Sequence, residues 1–91
     1  MKKPTQSEIF TDVKDFVSKF SRFPVHKLKD NFILKSHPLK MNNPQLISMA
    51  LALRGYVKNF EPNATVLATE IKKSNLTVAL LCNLINNKIN H

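Results

Sequence analysis

The chain has 91 residues, of which 43% are hydrophobic, so we expect one domain (1–91) with a modest core and not a disordered chain. One Gly and five Pro leave little material for tight hairpins or glycine-rich phosphate loops, which favours an all-α fold. Fourteen Lys and Arg residues against six Asp and Glu residues give a formal net charge of +8. This charge predicts a polyanionic partner: nucleic acid first, then an anionic membrane surface or an acidic protein.

Cys82 is the only cysteine, so no disulfide can form within the chain, which fits a reducing compartment. Lys2 and Lys3 are followed by no apolar run of the length that a signal peptide needs. No segment approaches the length of a membrane-spanning helix. We therefore expect a cytoplasmic protein without a membrane span.

The first predicted helix covers residues 6–21. Thr5 and Glu8 have the spacing of a capping box, in which each side chain accepts a hydrogen bond from the other residue's backbone N–H. Apolar residues then recur at helical intervals: Ile9, Phe10, Val13, Phe16, Val17 and Phe20. This periodicity predicts an amphipathic helix with one buried face.

Residues 23–43 are predicted to form a long loop, with one helical turn at about 26–32. Five apolar residues of this segment can cover the core: Val25, Leu28, Phe32, Ile33 and Leu34. A loop of this length in a small domain is often functional. Between Val17 and Phe60 lie eight basic residues and a single acidic one, Asp30, so one face or end of the fold should be basic.

The second predicted helix follows Asn43 and runs to about Asn59. Asn43 can cap it, and Pro44 suits its first position because the missing N–H is not needed there. Six apolar residues are expected to face inward: Leu46, Ile47, Ala50, Leu51, Leu53 and Val57. Arg54 and Lys58 stand one turn apart on an adjoining face.

Two further helices are predicted, at about 64–72 with Asn63 as the cap, and at about 75–89 with Ser74 or Asn75 as the cap. With the two helices before them, they complete an all-α bundle of about four helices. The pattern contains no internal repeat and no low-complexity segment.

Residues 67–82 have the pattern of two short helices that cross at a tight turn. Inward positions are expected for Leu67, Ala68, Ile71, Val78 and Leu81. Ala68 supplies a small residue, and Val78 a β-branched one, where the two helices would make contact. The segment therefore resembles the helix-turn-helix of bacterial repressors, and with the preceding helix the resemblance spans residues 44–89.

This resemblance implies a transcriptional regulator or accessory factor that binds double-stranded DNA with the last helix in the major groove. Three polar residues near the start of that helix would contact phosphates or base edges: Ser74, Asn75 and Thr77. Four basic residues would attract the phosphate backbone: Arg54, Lys58, Lys72 and Lys73. A homodimer is also expected, because a core this small gains stability from a partner.

The sequence departs from the repressor pattern in the turn and on the outward side of the last helix. Lys72 stands where the family usually has Gly, and Lys73 where an apolar residue is usual. The outward positions, which are polar in repressors, are Leu76, Ala79 and Leu80. We therefore expect attraction between basic side chains and the phosphate backbone to supply much of the binding.

A second resemblance, to acyl carrier proteins, covers residues 9–85. The shared layout is a first helix, a long loop with Phe32 and Leu39 pointing inward, a second helix, a short helix and a last helix. Carrier proteins attach phosphopantetheine to a Ser at the start of the second helix, where residues 42–44 are Asn-Asn-Pro in this chain. The attachment hydroxyl is absent, so this resemblance implies a protein–protein interaction module without the arm.

The sequence has no catalytic or metal-binding pattern. His26, His37 and His91 lack metal-ligand spacing, either with one another or with Cys82. The six carboxylates show no paired arrangement for acid–base chemistry. Cys82 lies in an apolar stretch, as expected of an inert core residue. We therefore expect a protein that is not an enzyme and needs no metal or cofactor.

Overall fold

The computed structural model describes residues 3–90, which form a compact all-α bundle, so the predicted fold class is confirmed. The described range has four α-helices: α1 at Gln6–Ser21, α2 at Asn43–Lys58, α3 at Ala68–Ile71 and α4 at Val78–Asn90. A short 3-10 helix at Val25–Lys27 lies in the loop after α1. None of these helices is both long and apolar enough to cross a membrane. Lys2 and His91 lie outside the described residues.

The bounds and the cap of α1 are as predicted. Thr5 Oγ1 accepts a hydrogen bond from the N–H of Glu8 at 3.2 Å, and Glu8 Oε1 accepts one from the N–H of Thr5 at 2.9 Å. The capping box is therefore confirmed. The fully buried face of α1 consists of Ile9, Val13 and Val17. Arg22, in the left-handed region with a φ of 60°, terminates the helix.

The cap of α2 lies one residue earlier than predicted, at Asn42 and not at Asn43. Asn42 Oδ1 accepts from the N–H of Gln45 at 2.9 Å, and Gln45 Oε1 accepts from the N–H of Asn42 at 2.8 Å. Pro44 fits either register, because no N–H of the first turn has a partner within the helix. Gln45 also donates to the carbonyl of Phe20 at 3.1 Å, so α2 begins beside the end of α1.

α3 is a single turn, Ala68–Ile71, so the predicted helix at 64–72 is wrong in its start. Glu70 Oε1 accepts from the N–H of Leu67 at 3.0 Å, which puts the cap at Leu67 and not at Asn63. At this cap Leu67 is 54% exposed, and its expected inward packing is wrong. Ile71, the last residue of this turn, is fully buried, as expected.

α4 covers Val78–Asn90 and begins later than predicted. The hydroxyl of Thr77 accepts a hydrogen bond from the N–H of Leu80 at 3.1 Å, and this replaces the predicted cap at Ser74 or Asn75. Both of those residues lie exposed in the connection between α3 and α4. The two helices are therefore separated by six residues, a longer connection than the expected tight turn.

The core lies between α1 and the two helices that pack against it, α2 and α4, while α3 packs on α2. Every α-helix and the long loop contribute fully buried side chains: Ile9, Val13, Leu34, Leu46, Leu53, Ile71, Val78, Leu81 and Ile85. Burying one such side chain stabilises a fold by about 1.5–3 kcal/mol. The shared core therefore holds the loop and the short α3 in place.

Several large apolar side chains of the described range are at least 40% exposed: Val25, Ile47, Leu51, Leu67 and Leu80. Val25 was expected to cover the core, and Ile47 and Leu51 to widen the inward stripe of α2. All three expectations are wrong: Val25 lies in the 3-10 helix, which buries no residue, and α2 buries a narrower face toward α1, α3 and α4.

Candidate nucleic-acid interface

The start of α4 is held by the long loop. Val78 N–H donates to the carbonyl of Phe32 at 2.9 Å, and Ala79 N–H donates to the carbonyl of Asp30 at 3.0 Å. An antiparallel bridge joins Ile33 to Thr77 just before the helix. Because the first N–H groups of a helix have no partner within it, the loop carbonyls satisfy groups that would otherwise face solvent.

These hydrogen bonds matter for the expected helix-turn-helix. Repressors place the first residues of the second helix against base edges in the major groove. Here the N–H groups of Val78, Ala79 and Leu80 are all bonded within the chain, the last of them to the Thr77 hydroxyl. These backbone groups are therefore not free to donate hydrogen bonds to phosphates.

The connection between α3 and α4 contains five of the seven predicted site residues. Lys72 follows α3 directly and is half-buried, whereas Lys73, Ser74 and Asn75 are exposed. Thr77 is half-buried because its hydroxyl caps α4. The structure therefore brings these five residues together in one segment, next to the loop.

Arg54 and Lys58, the other two predicted site residues, lie in the last two turns of α2. Lys58 Nζ donates to the carbonyl of Pro62 at 3.2 Å, beyond the end of that helix. α2 starts beside the end of α1 and runs back along α1, where Tyr56 meets Asp12. Arg54 lies about 13 Å along the helix axis from Gln45. The pair is thus displaced from the point where the loop begins.

Sequence reasoning did not assign the loop's own basic residues to the site. The N–H of Leu34 donates to the carbonyl of Leu76 at 3.0 Å, and the N–H of Met41 donates to the carbonyl of Leu34 at 2.9 Å. These bonds hold the loop beside the α3–α4 connection. We call the basic residues of these two segments, with Arg22 at the end of α1, the basic end: Arg22, Lys27, Lys29, Lys35, Lys40, Lys72 and Lys73. The signal in the sequence was the run of basic residues with Asp30 as its single acid.

One residue of the basic end, Lys73, lies close enough to Glu70 to lower the pKa of that carboxyl, but no residue of the basic end forms a salt bridge within the described range. Three salt bridges occur within residues 3–90, and none includes a residue of the basic end: Lys3–Glu61 at 3.0 Å, Lys14–Asp30 at 3.0 Å and Lys88–Glu70 at 3.1 Å. Asp30, the one acid of the loop, is thus paired with a lysine of α1. The basic end therefore keeps a net positive charge.

Aromatic rings near the basic end take part in packing. The rings of Phe23 and Phe32 meet edge to face with centroids 6.0 Å apart, and Lys19 Nζ lies 5.7 Å from the ring centre of Phe20. Single-stranded nucleic acids are usually held by stacking on free aromatic faces. These rings are half-buried and packed, so the basic end would bind a nucleic acid by charge and not by stacking of bases on aromatic rings.

An open depression of about 370 Å³ on the other side of α1 is lined by Asp12, Asp15, Phe16, Lys19 and Tyr56. Tyr56 donates a hydrogen bond to Asp12 Oδ2 at 2.7 Å. Burial, and then the carboxylate of Asp12, raise the pKa of the Tyr56 hydroxyl, so this group stays protonated. Elsewhere, Cys82 is fully buried, as expected of a core residue.

The layout also bears on the second resemblance. Leu39 is buried and Phe32 packs against the core, so the inward loop residues are confirmed. At the start of α2, Asn42 Oδ1 is occupied as the helix cap. No protein-family model, curated protein or solved structure matches this chain. Neither the repressor nor the carrier resemblance is tested by those comparisons, and both stay predictions.

Proposed function

We propose that the chain binds nucleic acid, expected to be double-stranded DNA, through phosphate contacts made by the basic end. The observation that carries the proposal is the fold of the loop against the start of α4, which gathers basic side chains that have no salt bridge within residues 3–90. Each Lys or Arg placed on a phosphate releases condensed counterions, so such a surface binds without reading bases.

In this proposal α4 supports the surface and does not read the major groove with its first residues. The N–H groups there are bonded to the carbonyls of Phe32 and Asp30. Leu80, on the outer side of the first turn, is 50% exposed and offers no hydrogen bond to a base edge. An accessory DNA-binding factor with weak sequence preference fits this arrangement better than an operator-specific repressor.

Binding to a generic duplex is tested by titrating the full chain at increasing salt. We expect log K to fall linearly with log salt concentration, with a slope of about −0.9 for each phosphate contact. Exchanging Lys72→Glu and Lys73→Glu should weaken binding at low salt by at least about tenfold, since two attractive contacts become repulsive. Absence of any duplex binding at low salt would refute the proposal. The homodimer and the cytoplasmic location remain predictions from the sequence.

A second candidate function is an interaction module with the acyl-carrier layout but without the prosthetic arm. The observation that favours it is the order of elements together with the inward packing of Leu39 and Met41 from the loop. It predicts salt-tolerant association with a protein partner that is weakened by changes at Leu80 or in the loop. Leu76, which was expected on the outward side as well, is instead buried in the core. Steep loss of all association with rising salt would favour the nucleic-acid function instead.

A further inference from the structure

The outer face of α2 is largely exposed in the described chain. Helical spacing puts Ser48, Leu51 and Gly55 along one stripe, with Ile47, Arg54 and Lys58 beside it. We call these six residues the α2 outer face. It lies on the side of α2 away from the buried residues Leu46 and Leu53, and none of its members belongs to the basic end.

Two neighbouring apolar side chains dominate this face. Leu51 is 62% exposed and Ile47 is 40% exposed, and they are one helical turn apart. Single exposed leucines are common on protein surfaces, but adjacent ones beside small residues form a patch that another apolar surface can cover.

Gly55 is a second and independent observation. It lies in the interior of α2, where Gly destabilises a helix relative to Ala, and its φ is not positive. A Cβ added there would meet no atom within 4 Å. The folded chain thus has no steric use for a glycine at this position, whereas a partner helix crossing α2 closely would need one.

The charges decide what kind of partner fits. Residues 43–58 include Arg54 and Lys58 but no carboxylate. A second copy of the same face would bring like charges together, and a phosphate backbone would leave Leu51 and Ile47 without an apolar contact. We propose that the α2 outer face docks an α-helix of a partner protein whose apolar stripe is flanked by Asp or Glu residues.

The probes are synthetic amphipathic helices of about 18 residues, long enough to cover the face. Two peptides share one Leu and Ala stripe and differ only in flanking residues, Glu in one and Lys in the other. Nuclear magnetic resonance of the isotope-labelled full chain should show shifts at Ser48, Leu51 and Gly55 with the Glu peptide and none there with the Lys peptide. A Glu peptide with a central Pro should not bind, because the helix is broken.

Substitutions on the α2 outer face sharpen the test. Gly55→Ala should raise the melting temperature, since no atom of the described chain lies near the added methyl group. The same change should lower the affinity for the Glu peptide by about tenfold or more. Arg54→Glu with Lys58→Glu should reverse the preference toward the Lys peptide. If the double variant folds poorly, Arg54→Gln is measured in its place, because Arg54 is exposed and its substitution should leave the fold intact. Arg54→Gln should reduce the affinity for the Glu peptide at least about twofold.

Four results would overturn the proposal. They are shifts that map away from α2, equal affinity for the two peptides, unchanged peptide affinity in Gly55→Ala, and a dimer of the free chain that Leu51→Asp dissociates. Duplex binding lost on changing Arg54 and Lys58 would instead assign the face to nucleic acid. The test does not depend on the basic end, so it succeeds or fails separately from DNA binding.

Discussion

At the scale of single residues, Glu70 links α3 to the last turns of α4. Its Oε1 accepts from the N–H of Leu67 at 3.0 Å and pairs with Lys88 Nζ at 3.1 Å. Burial alone would raise the pKa of this carboxyl, but the hydrogen bond from Leu67 and the charge of Lys88 outweigh burial and lower it below its ordinary value of 4.5. The ionised form is therefore favoured in the folded state.

Because the pKa of Glu70 is lower when folded than when unfolded, its contribution to the free energy of unfolding is complete above pH 4.5 and is lost as pH falls through the folded value. We expect Glu70→Gln to be less stable than the parent chain at pH 7 and to lose less stability on acidification. Urea denaturation at pH 7, 5 and 3 measures both. An equal loss of stability in parent and variant on acidification would contradict this assignment.

Cys82 gives a second test at this scale. Its Sγ lies 3.9 Å from the carbonyl of Phe10, and burial raises the pKa of the thiol to about 11 from its ordinary 9.0. The thiol should therefore resist alkylation in the native chain at pH 8 and react quickly in denaturant. Since the folded pKa is the higher one, the thiol's contribution to stability is complete below pH 9 and is lost as pH rises toward 11. Rapid native labelling would contradict the buried position.

At the scale of elements, the cap of α1 was predicted correctly from local spacing, whereas the predicted caps of α2, α3 and α4 were wrong. The Thr5–Glu8 box and the whole of α1 follow from local spacing. The start of α4 depends instead on the carbonyls of Phe32 and Asp30, more than forty residues earlier in the chain, which no local pattern reveals. The inward stripe of α2 was likewise drawn too wide, because periodicity cannot show which flank a neighbouring helix covers.

Replacing the cap of α4 tests its observed start. Thr77→Ala removes the acceptor for the N–H of Leu80 and should destabilise the chain by about 0.5–2 kcal/mol. Ser74→Ala and Asn75→Ala, exposed in the connection, should each stay within about 0.5 kcal/mol of the parent. Urea denaturation of the three variants decides the matter. A larger loss at Ser74 or Asn75 than at Thr77 would restore the earlier start predicted from the sequence.

At the scale of the whole molecule, the net charge was known from composition but its location was not. Lys72 and Lys73 were predicted site residues from their place in the apparent turn, whereas Lys35 and Lys40 join them only because the loop folds back on α4. Arg54 and Lys58 were grouped with them by sequence, and the structure places that pair along α2. The basic end is thus a product of tertiary structure.

The most direct test of DNA binding by the basic end compares two matched charge reversals. Lys35→Glu with Lys40→Glu changes the basic end, and Arg54→Glu with Lys58→Glu changes α2 by the same net charge. The measurement is the affinity of each full-length variant for one generic duplex over a salt series. We expect the first variant to lose at least about tenfold and its salt slope to flatten by about 1.8, and the second to stay within about threefold. Equal losses in the two variants, or a larger loss in the second, would contradict the account.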